Sequence, residues 1–308
     1  MAQAVGIRRQ PTGFRRVFRD IRQQWSAYAV LTPGFILFTL FVVFAIVFSF
    51  WLSFHKWDIL EPDKPFVGLA NYREVIHDDD LGKAIINTLF YTSTIPIGLA
   101  LGLVLALLLN QQIRARGFFR TVFYLPVITP LVVAAIIWKW VYGGDFGLLN
   151  YYMLKAHLIH QPLLWLSSYN LAMWAVIIMS NWKSVGFTMV VYLAGLQAIP
   201  QEYYEAAEVD GASAWQKLRK ITIPLLAPTT FFLVIISVIG SFQVFTQIFV
   251  MTAGGPSQRT TTIVYLIYTT AFKFFRMGYA SALAWVLFAM IFAFTLLQWR
   301  YYTKRMEY

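Results

Sequence analysis

The charged and small residues best placed to do chemistry form one polar segment between two apolar stretches. Glu205-Ala206-Ala207 is followed by Gly211 and then by Ile221-Thr222-Ile223-Pro224. Two alanines leave a helix surface flat enough for a partner's groove to close over it, and a glutamate supplies a charge that can fix the register of docking. The chemistry this predicts is recognition of another protein rather than bond making. Since glutamates three apart are also ordinary on soluble faces, the alternative is a solvated surface helix.

The order of residues around this segment predicts two short helices that meet at a glycine. Pro200 suits the first position of a helix over residues 201–210, and Gly211 can adopt the left-handed conformation that ends it. Ser213 and Gln216 have the spacing of a capping box, which starts a second helix. The predicted docking element is therefore a helix-turn-helix.

Polar side chains inside apolar runs form the second candidate site. They are Asn181, Lys183, Ser184, Ser237, Ser241, Gln243 and Gln247. Polar groups are costly in a membrane and tend to face the interior of a helix bundle. Helical spacing places Ser237, Gly240, Ser241 and Val244 on one face with Gln243 and Gln247 beside it, and Lys183, Ser184 and Phe187 within one turn.

Two lysines lie within apolar runs and have competing explanations. Lys183 either faces an internal path or extends to the headgroups or pairs with helix carbonyls. Lys139, between two tryptophans near the end of a run, is more simply explained as an interfacial anchor.

The composition requires these residues to be positioned by membrane helices. Of 308 residues, 59% are hydrophobic and 13% charged, too few polar side chains to cover a soluble protein of this size. Runs long enough to cross about 30 Å of hydrocarbon occur at residues 28–54, 84–109, 121–142, 170–194, 225–251 and 279–300. They lack the alternation of a barrel strand, so we predict an all-α polytopic membrane protein with six transmembrane helices.

The distribution of basic residues predicts the orientation. Arg8, Arg9, Arg15, Arg16, Arg19 and Arg22 precede the first run, and Arg300, Lys304 and Arg305 follow the last. By the positive-inside rule both termini are cytoplasmic, and the polar helix-turn-helix lies on the same side. The first run is too long for a cleaved signal peptide and should remain as an anchor. We predict a basic segment at 1–27, a transmembrane domain at 28–303 with its polar loop at about 198–222, and a tail at 304–308.

Proline and small residues in the runs predict helix breaks and close packing. Pro96, Pro126 and Pro130 each remove a backbone donor, which favours kinked helices around a cavity. Gly98 and Gly102 precede Ala106 at intervals of four. This pattern indicates either a face on which another helix can approach closely or the ordinary occurrence of glycine and alanine in membrane helices.

Several classes of function are disfavoured by what the sequence contains. The net charge of +11 follows from the basic cytoplasmic segments, so nucleic-acid binding is not needed to explain it. The acidic run at 78–80 lacks the spacing of a calcium loop, and we assign no metal. The chain has no cysteine, and no P-loop sequence with which to bind nucleotide phosphates. We predict no cofactor and no catalytic residue.

The spacing of the polar segment resembles a known family motif. Glu-Ala-Ala, three residues, Gly, nine residues and Ile-any-Leu-Pro is the motif of permease subunits in binding-protein-dependent ABC importers, and this chain departs from it only by Ile223 in the Leu position. Five further stretches resemble the carbohydrate branch of that family, which includes maltose and glycerol 3-phosphate permeases: residues 66–72, 147–150, 193–200, 209–213 and 251–256.

The resemblance implies partners and a fold. It implies six helices with a cytoplasmic coupling loop in the inner membrane, a second homologous permease, a dimer of ATP-binding cassette ATPases and an extracytoplasmic solute-binding protein, with membrane lipid around the bundle. It implies that a separate subunit hydrolyses ATP and that this chain is not an enzyme. The coupling residues carried over are Glu205, Ala206, Ala207 and Gly211.

The resemblance also implies a substrate path. The positions similar to those that hold sugar in the maltose permease are Lys183, Ser184, Phe187, Ser237, Ser241 and Val244, beside Gln243 and Gln247. Hydroxyls and amides match the polar rim of a sugar, and the ring of Phe187 can stack on its apolar face. Import of a mono-, di- or oligosaccharide is therefore expected, with glycerol 3-phosphate or another sugar phosphate or polyol as the alternative.

Two other classes of membrane protein are weighed against this. A secondary transporter would carry acids or histidines in its spans for ion coupling, and the predicted spans have no acid near their middle. A membrane enzyme would need a clustered acid, base or nucleophile, and the four histidines are scattered.

Overall fold

A computed structural model describes residues 25–58 and 63–306 of the chain. The arginines at positions 8 to 22, which we predict to be cytoplasmic, lie outside these ranges, as do the side chains of Lys304 and Arg305. The chain divides into two compact units, Met1–Leu52 and Ser53–Tyr308.

The first unit contains one long apolar helix, α1 (Trp25–Leu52). Its 28 residues rise about 42 Å, enough to cross a bilayer. The helix includes Pro33 and widens into a π-helical turn at Thr39–Val43. The Thr32 hydroxyl donates to the Tyr28 carbonyl at 2.7 Å, which satisfies a polar side chain within the helix itself.

The second unit is also built from helices. They are α2 (Ala70–Ile76), α3 (Asp79–Tyr91), α4 (Thr94–Asn110), α5 (Arg116–Ile128), α6 (Leu131–Val141), α7 (Leu148–Lys155), α8 (Ala172–Gln197), α9 (Glu202–Val209), α10 (Ala214–Leu225), α11 (Ala227–Phe242), α12 (Thr246–Met251), α13 (Ile263–Phe272) and α14 (Met277–Met306). The described residues include isolated bridges but no strand, so the predicted all-α class is confirmed.

The predicted number of spans is reached only by counting broken helices. Four segments are long and apolar enough to cross a membrane: α1, α3 with α4, α8, and the Met277–Arg300 part of α14. Two further spans consist of bent pairs, α5 with α6 at 99° and α10 with α11 at 62°. The total among the described residues is six if each bent pair is one span.

The runs at 121–142 and 225–251 are therefore not continuous helices. The kink predicted at Pro130 is confirmed, whereas the end of a helix at Phe242 was not predicted. The first breaks between Ile128 and Leu131, where Pro130 has no N–H to continue the helical ladder. The second ends at Phe242 and resumes as α12 at Thr246. In the gap, the Thr262 hydroxyl donates to the Val244 carbonyl at 3.0 Å, so a side chain from a distant segment replaces a helical bond.

Helix α8 is the central element of the second unit, and α4 packs along it. Gly98, Gly102 and Ala106 are all buried, which confirms the predicted small-residue packing face. A Cβ atom on Gly102 would lie 2.4 Å from Cγ2 of Thr188 and 3.2 Å from the backbone nitrogen of Met189. The two backbones can approach this closely only because the position is glycine.

Asparagine side chains hold the segments between the spans. Nδ2 of Asn71 donates to the carbonyls of Ser53 and His55 at 2.8 and 3.0 Å. Nδ2 of Asn87 donates to the carbonyls of Gln258 and Thr261 at 2.8 and 2.9 Å. Each amide thus donates to two carbonyls of a segment that lies outside the helices.

The acidic run at 78–80 serves as a helix start. Oδ1 of Asp78 accepts from the backbone N–H of Asp80 at 2.8 Å, and Asp79 and Asp80 occupy the first turn of α3. Carboxylates there oppose the positive end of the helix dipole. The described residues between the first two spans thus contain α2 and this helix start.

We predict that Gly102→Ala destabilises the protein by about 1–3 kcal/mol, because its methyl group would overlap Thr188. The matched control is Gly82→Ala in α3, where a Cβ would meet nothing within 4 Å and helix propensity is expected to raise stability by up to about 1 kcal/mol. Thermal unfolding of the detergent-solubilised protein measures both. Equal midpoints for the two variants would contradict the close approach of α4 and α8.

Candidate functional site: an internal cavity and a helix-turn-helix

A cavity of about 360 Å³ lies among the helices of the second unit. Its walls come from one face of each contributing helix, with residues one turn apart, as the 3.6-residue period requires. The lining residues are Tyr91, Thr94, Ile95, Gly98 and Leu99 of the second span, Leu131 of α6, Ser180, Lys183, Ser184, Phe187 and Thr188 of α8, Ile236, Ser237, Gly240 and Ser241 of α11, and Gln247 of α12.

Six of the eight side chains predicted for a substrate path line this cavity. They are Lys183, Ser184, Phe187, Ser237, Ser241 and Gln247. The helical spacing that grouped them from sequence brings the two sets together across the space between α8 and α11. Ser184 and Phe187 are exposed in this single chain, so the cavity is open on the α8 side.

The other two predicted side chains, Gln243 and Val244, do not line the cavity. Helix α11 ends at Phe242, so the helical face on which we placed Val244 does not continue that far. Val244 is 4% exposed and packs in an apolar cluster with Tyr142 and Ile248, whereas Gln243 is exposed.

Several lining residues were missed from sequence. Tyr91 donates from its hydroxyl to Oγ of Ser180 at 2.9 Å, and both border the cavity. Thr94 and Thr188 add two more hydroxyls. Each is a polar side chain within an apolar run, which is the signal that identified Ser184. Asn181 carried the same signal, yet it is buried against Gly98, with its Nδ2 donating to the Ile177 carbonyl at 3.0 Å.

Lys183 is the one charged residue among the described side chains that line the cavity. Its Nζ donates to the carbonyl of Val127 in the last turn of α5 at 2.8 Å. The ammonium therefore borders the cavity and is bonded to a helix end at the same time. Lys139, the other lysine within a predicted span, is exposed, and its Nζ lies 3.4 Å from the carbonyl of Val250.

The helix-turn-helix forms with the predicted local bonds. Gly211 has φ +74°, and the N–H groups of Gly211 and Ala212 donate to the carbonyls of Glu208 and Ala207, the pattern that closes a helix through a left-handed residue. The predicted capping box is present: Ser213 and Gln216 exchange backbone-to-side-chain bonds of 2.7 and 3.3 Å. Helix α9 begins at Glu202, one residue later than predicted.

Two side-chain contacts tie the helices of this motif to each other. Nζ of Lys217 lies 2.6 Å from Oε1 of Glu208, and the hydroxyls of Tyr204 and Thr222 are 3.0 Å apart. The ion pair is largely exposed and contributes roughly 0–1 kcal/mol. Together with the caps, these contacts favour movement of α9 and α10 as one body.

The surface of the motif is available for docking. Glu205, Ala206 and Gly211 are exposed, and Ala207 is half-buried. The apolar side chains of Val209 and Trp215 are 89% and 66% exposed on the same motif. Large exposed apolar groups next to a carboxylate that has no ion pair among the described residues are typical of a surface that another protein covers. Sequence analysis missed Val209 as a member of this surface.

Comparison with known proteins places this architecture in a family. The family described as "Binding-protein-dependent transport system inner membrane component" matches residues 98–307. The chain is 33% identical over 279 residues to the trehalose/maltose transport system permease protein MalF of Thermococcus litoralis, covering 89% of this chain and 92% of that protein. It is 32% identical over 283 residues to the sn-glycerol-3-phosphate transport system permease protein UgpA of Agrobacterium fabrum, covering 91% and 96%.

A solved structure shares the fold. It is the crystal structure of a bacterial ABC transporter involved in the import of the acidic polysaccharide alginate, with a TM-score of 0.82 and 25% identity over 94% of this chain and 99% of that chain. The helical architecture of the described residues, with its four to six candidate membrane spans, agrees with these similarities. The chain belongs to the family of inner membrane permease components of binding-protein-dependent ABC importers.

Proposed function

We propose that this chain, with a second homologous permease, forms the path for ATP-driven uptake of a sugar delivered by an extracytoplasmic binding protein. The observation that carries the proposal is the cavity, whose hydroxyl and amide groups converge from α4, α8, α11 and α12 around the ring of Phe187. Such groups bind the donors and acceptors of a sugar, and the ring covers its apolar face. The relatives named for trehalose/maltose and for alginate support a carbohydrate substrate.

The open side of the cavity supports a second permease. Ser184 and Phe187 are both exposed in the isolated chain. A polar substrate crossing hydrocarbon must be surrounded on all sides, because lipid offers no hydrogen bonds. A homologous subunit facing α8 would close the cavity.

The helix-turn-helix is the proposed contact with the ATPase dimer. In this proposal it lies in the cytoplasm with both termini, as the basic segments at the span ends indicate. Closure of the ATPases on ATP moves the docked motif, and α8 and α11, which flank it in the chain, carry the movement to the cavity. ATP energy then biases the cavity between inward-facing and outward-facing states.

A phosphorylated polyol is the second candidate substrate. The observation that favours it is Lys183, the cation at the cavity wall, since ammonium groups bind phosphate oxygens. The relative named for sn-glycerol-3-phosphate is consistent with this candidate. A secondary transporter is disfavoured, because no carboxylate or imidazole is found among the described residues that line the cavity.

The assembly is tested by tagging the chain, extracting it gently from its native membrane and identifying co-purifying proteins by mass spectrometry. We expect an ATP-binding cassette ATPase and a homologous permease, after which the associated binding protein is screened by thermal shift against sugars and sugar phosphates. Recovery of the chain alone, intact and monodisperse, would contradict the proposal.

We predict that Glu205→Lys leaves the permease folded but abolishes uptake and weakens ATPase attachment, because it reverses the charge at the docking surface. Glu202→Lys is the matched control: Glu202 is also exposed, lies in the same first turn of α9 and experiences the same helix dipole. Uptake in whole cells and co-purification of the ATPase measure the effect. Undiminished uptake by Glu205→Lys, or an equal loss in both variants, would remove the specific role of Glu205.

We predict that Ser241→Leu blocks uptake without loss of the complex, because the larger side chain fills part of the 360 Å³ cavity. Gln243→Leu is the control, since Gln243 is exposed outside the cavity. Ser241 is buried, so Ser237→Leu on the same cavity face serves as a second variant if the first complex does not assemble. Normal uptake in an assembled cavity variant would exclude this face of α11 from the path.

A further inference from the structure

The break between α5 and α6 leaves a carbonyl that its own helix does not satisfy. The last four carbonyls of any α-helix lack intrahelical partners, and Val127 is the next-to-last residue of α5. The N–H that would continue the ladder to Val127 belongs to Leu131, which starts a helix turned by 99°. Lipid offers no hydrogen bond to replace it, so within a membrane span this carbonyl needs a donor from elsewhere in the protein or from water in the cavity.

Lys183 supplies that donor. Its Nζ lies 2.8 Å from the Val127 carbonyl oxygen, and the partly negative end of the α5 dipole faces the ammonium charge. No carboxylate is found among the described residues around the cavity that could neutralise this charge instead. The helix end and the lysine therefore satisfy each other.

The approach of the two helices makes this bond possible. Gly186 lies one turn after Lys183 on α8, and a Cβ there would sit 2.1 Å from the Phe123 carbonyl and 3.0 Å from Cγ2 of Val127. Glycine thus lets α8 contact the backbone of α5 directly. At that separation the lysine side chain reaches the end of α5.

We propose that Lys183 is a positioning residue. It holds the break between α5 and α6 against α8. Helix α8 continues without interruption from the cavity to Gln197, five residues before α9 begins. A displacement of α8 then carries the end of α5, and with it Leu131 at the cavity wall. The role in transport rests on the proposed function, whereas the tie itself is a property of this chain.

This role differs from contact with a substrate anion. In a positioning role, the ammonium group binds the carbonyl at the end of α5. Removal of the lysine then changes the angle between α5 and α6 and the rate of the conformational cycle. A substrate-binding lysine changes the affinity for an anionic substrate and leaves the break in place. The two roles therefore predict different label distances across the break and different changes in maximal rate and KM.

The geometry is measured with spin labels on the importer purified with its partners through this chain. The chain has no cysteine, so Phe118→Cys on α5 and Ile137→Cys on α6, both at exposed positions, give a labelled pair across the break. We expect a narrow distance distribution with Lys183 and with Lys183→Arg, which keeps a charged donor. We expect a shifted and broader distribution with Lys183→Met.

Uptake with the same variants separates rate from affinity. For Lys183→Met we expect the maximal rate to fall about tenfold, the order expected for loss of a charged hydrogen bond, with KM unchanged. Lys139→Met, the same substitution at the exposed lysine, should retain both parameters. If Lys183→Met does not assemble, Lys183→Gln removes the charge with less loss of polarity.

Two outcomes would overturn the proposal. One is an unchanged label distance in Lys183→Met. The other is a raised KM with an unchanged maximal rate, which would make Lys183 a substrate contact. Failure of the proposed function is seen separately, as absence of sugar uptake or of co-purifying ATPase with the unsubstituted chain, while the label distances still report on the tie.

Discussion

The structure depends on satisfying backbone carbonyls and N–H groups where lipid supplies no hydrogen bonds. Continuous helices such as α8 meet this requirement by themselves. Broken spans do not, and at two positions, at the end of α5 and after α11, a side chain from another part of the chain bonds to a carbonyl that has left the helical ladder. Lys183 does so for Val127, and Thr262 does so for Val244. These two bonds satisfy carbonyls that would otherwise lack a donor where the helices break.

In the segments between spans, asparagine side chains provide the hydrogen bonds that irregular backbone lacks. Asn150 donates to the carbonyls of Gly143, Gly144 and Leu163, and its Oδ1 accepts from the Leu163 N–H and the indole of Trp165. Its side chain is fully used in organising one turn. Asn87 performs a similar task for the turn at 258–261, which follows a left-handed Gly254. The irregular backbone is thereby held to the ends of the helices that enclose the cavity.

Sequence reasoning succeeded where a local pattern determines the structure. Hydrophobic runs located six spans, the capping box and Gly211 located the helix-turn-helix, and intervals of four placed Gly102 against another helix. It failed where the structure depends on a hydrogen-bond partner far away in the sequence. Nothing near Val244 indicates that the Thr262 hydroxyl will donate to its carbonyl, and nothing near Lys183 indicates that Val127, 56 residues earlier, will be its partner. The prolines indicated where a backbone N–H donor is missing, but not which side chain donates in its place.

Helix α8 runs without interruption from the cavity to Gln197, five residues before the helix-turn-helix begins, whereas the pairs α5–α6 and α10–α11 are bent. A straight helix fixes an angular phase as well as a length: each residue added or removed turns everything beyond it by about 100°. A one-residue insertion between Tyr192 and Gln197 would leave Ser184 and Phe187 in place and rotate the following motif to a different azimuth. The number of residues in α8 is therefore a constraint in its own right, independent of which side chains it carries.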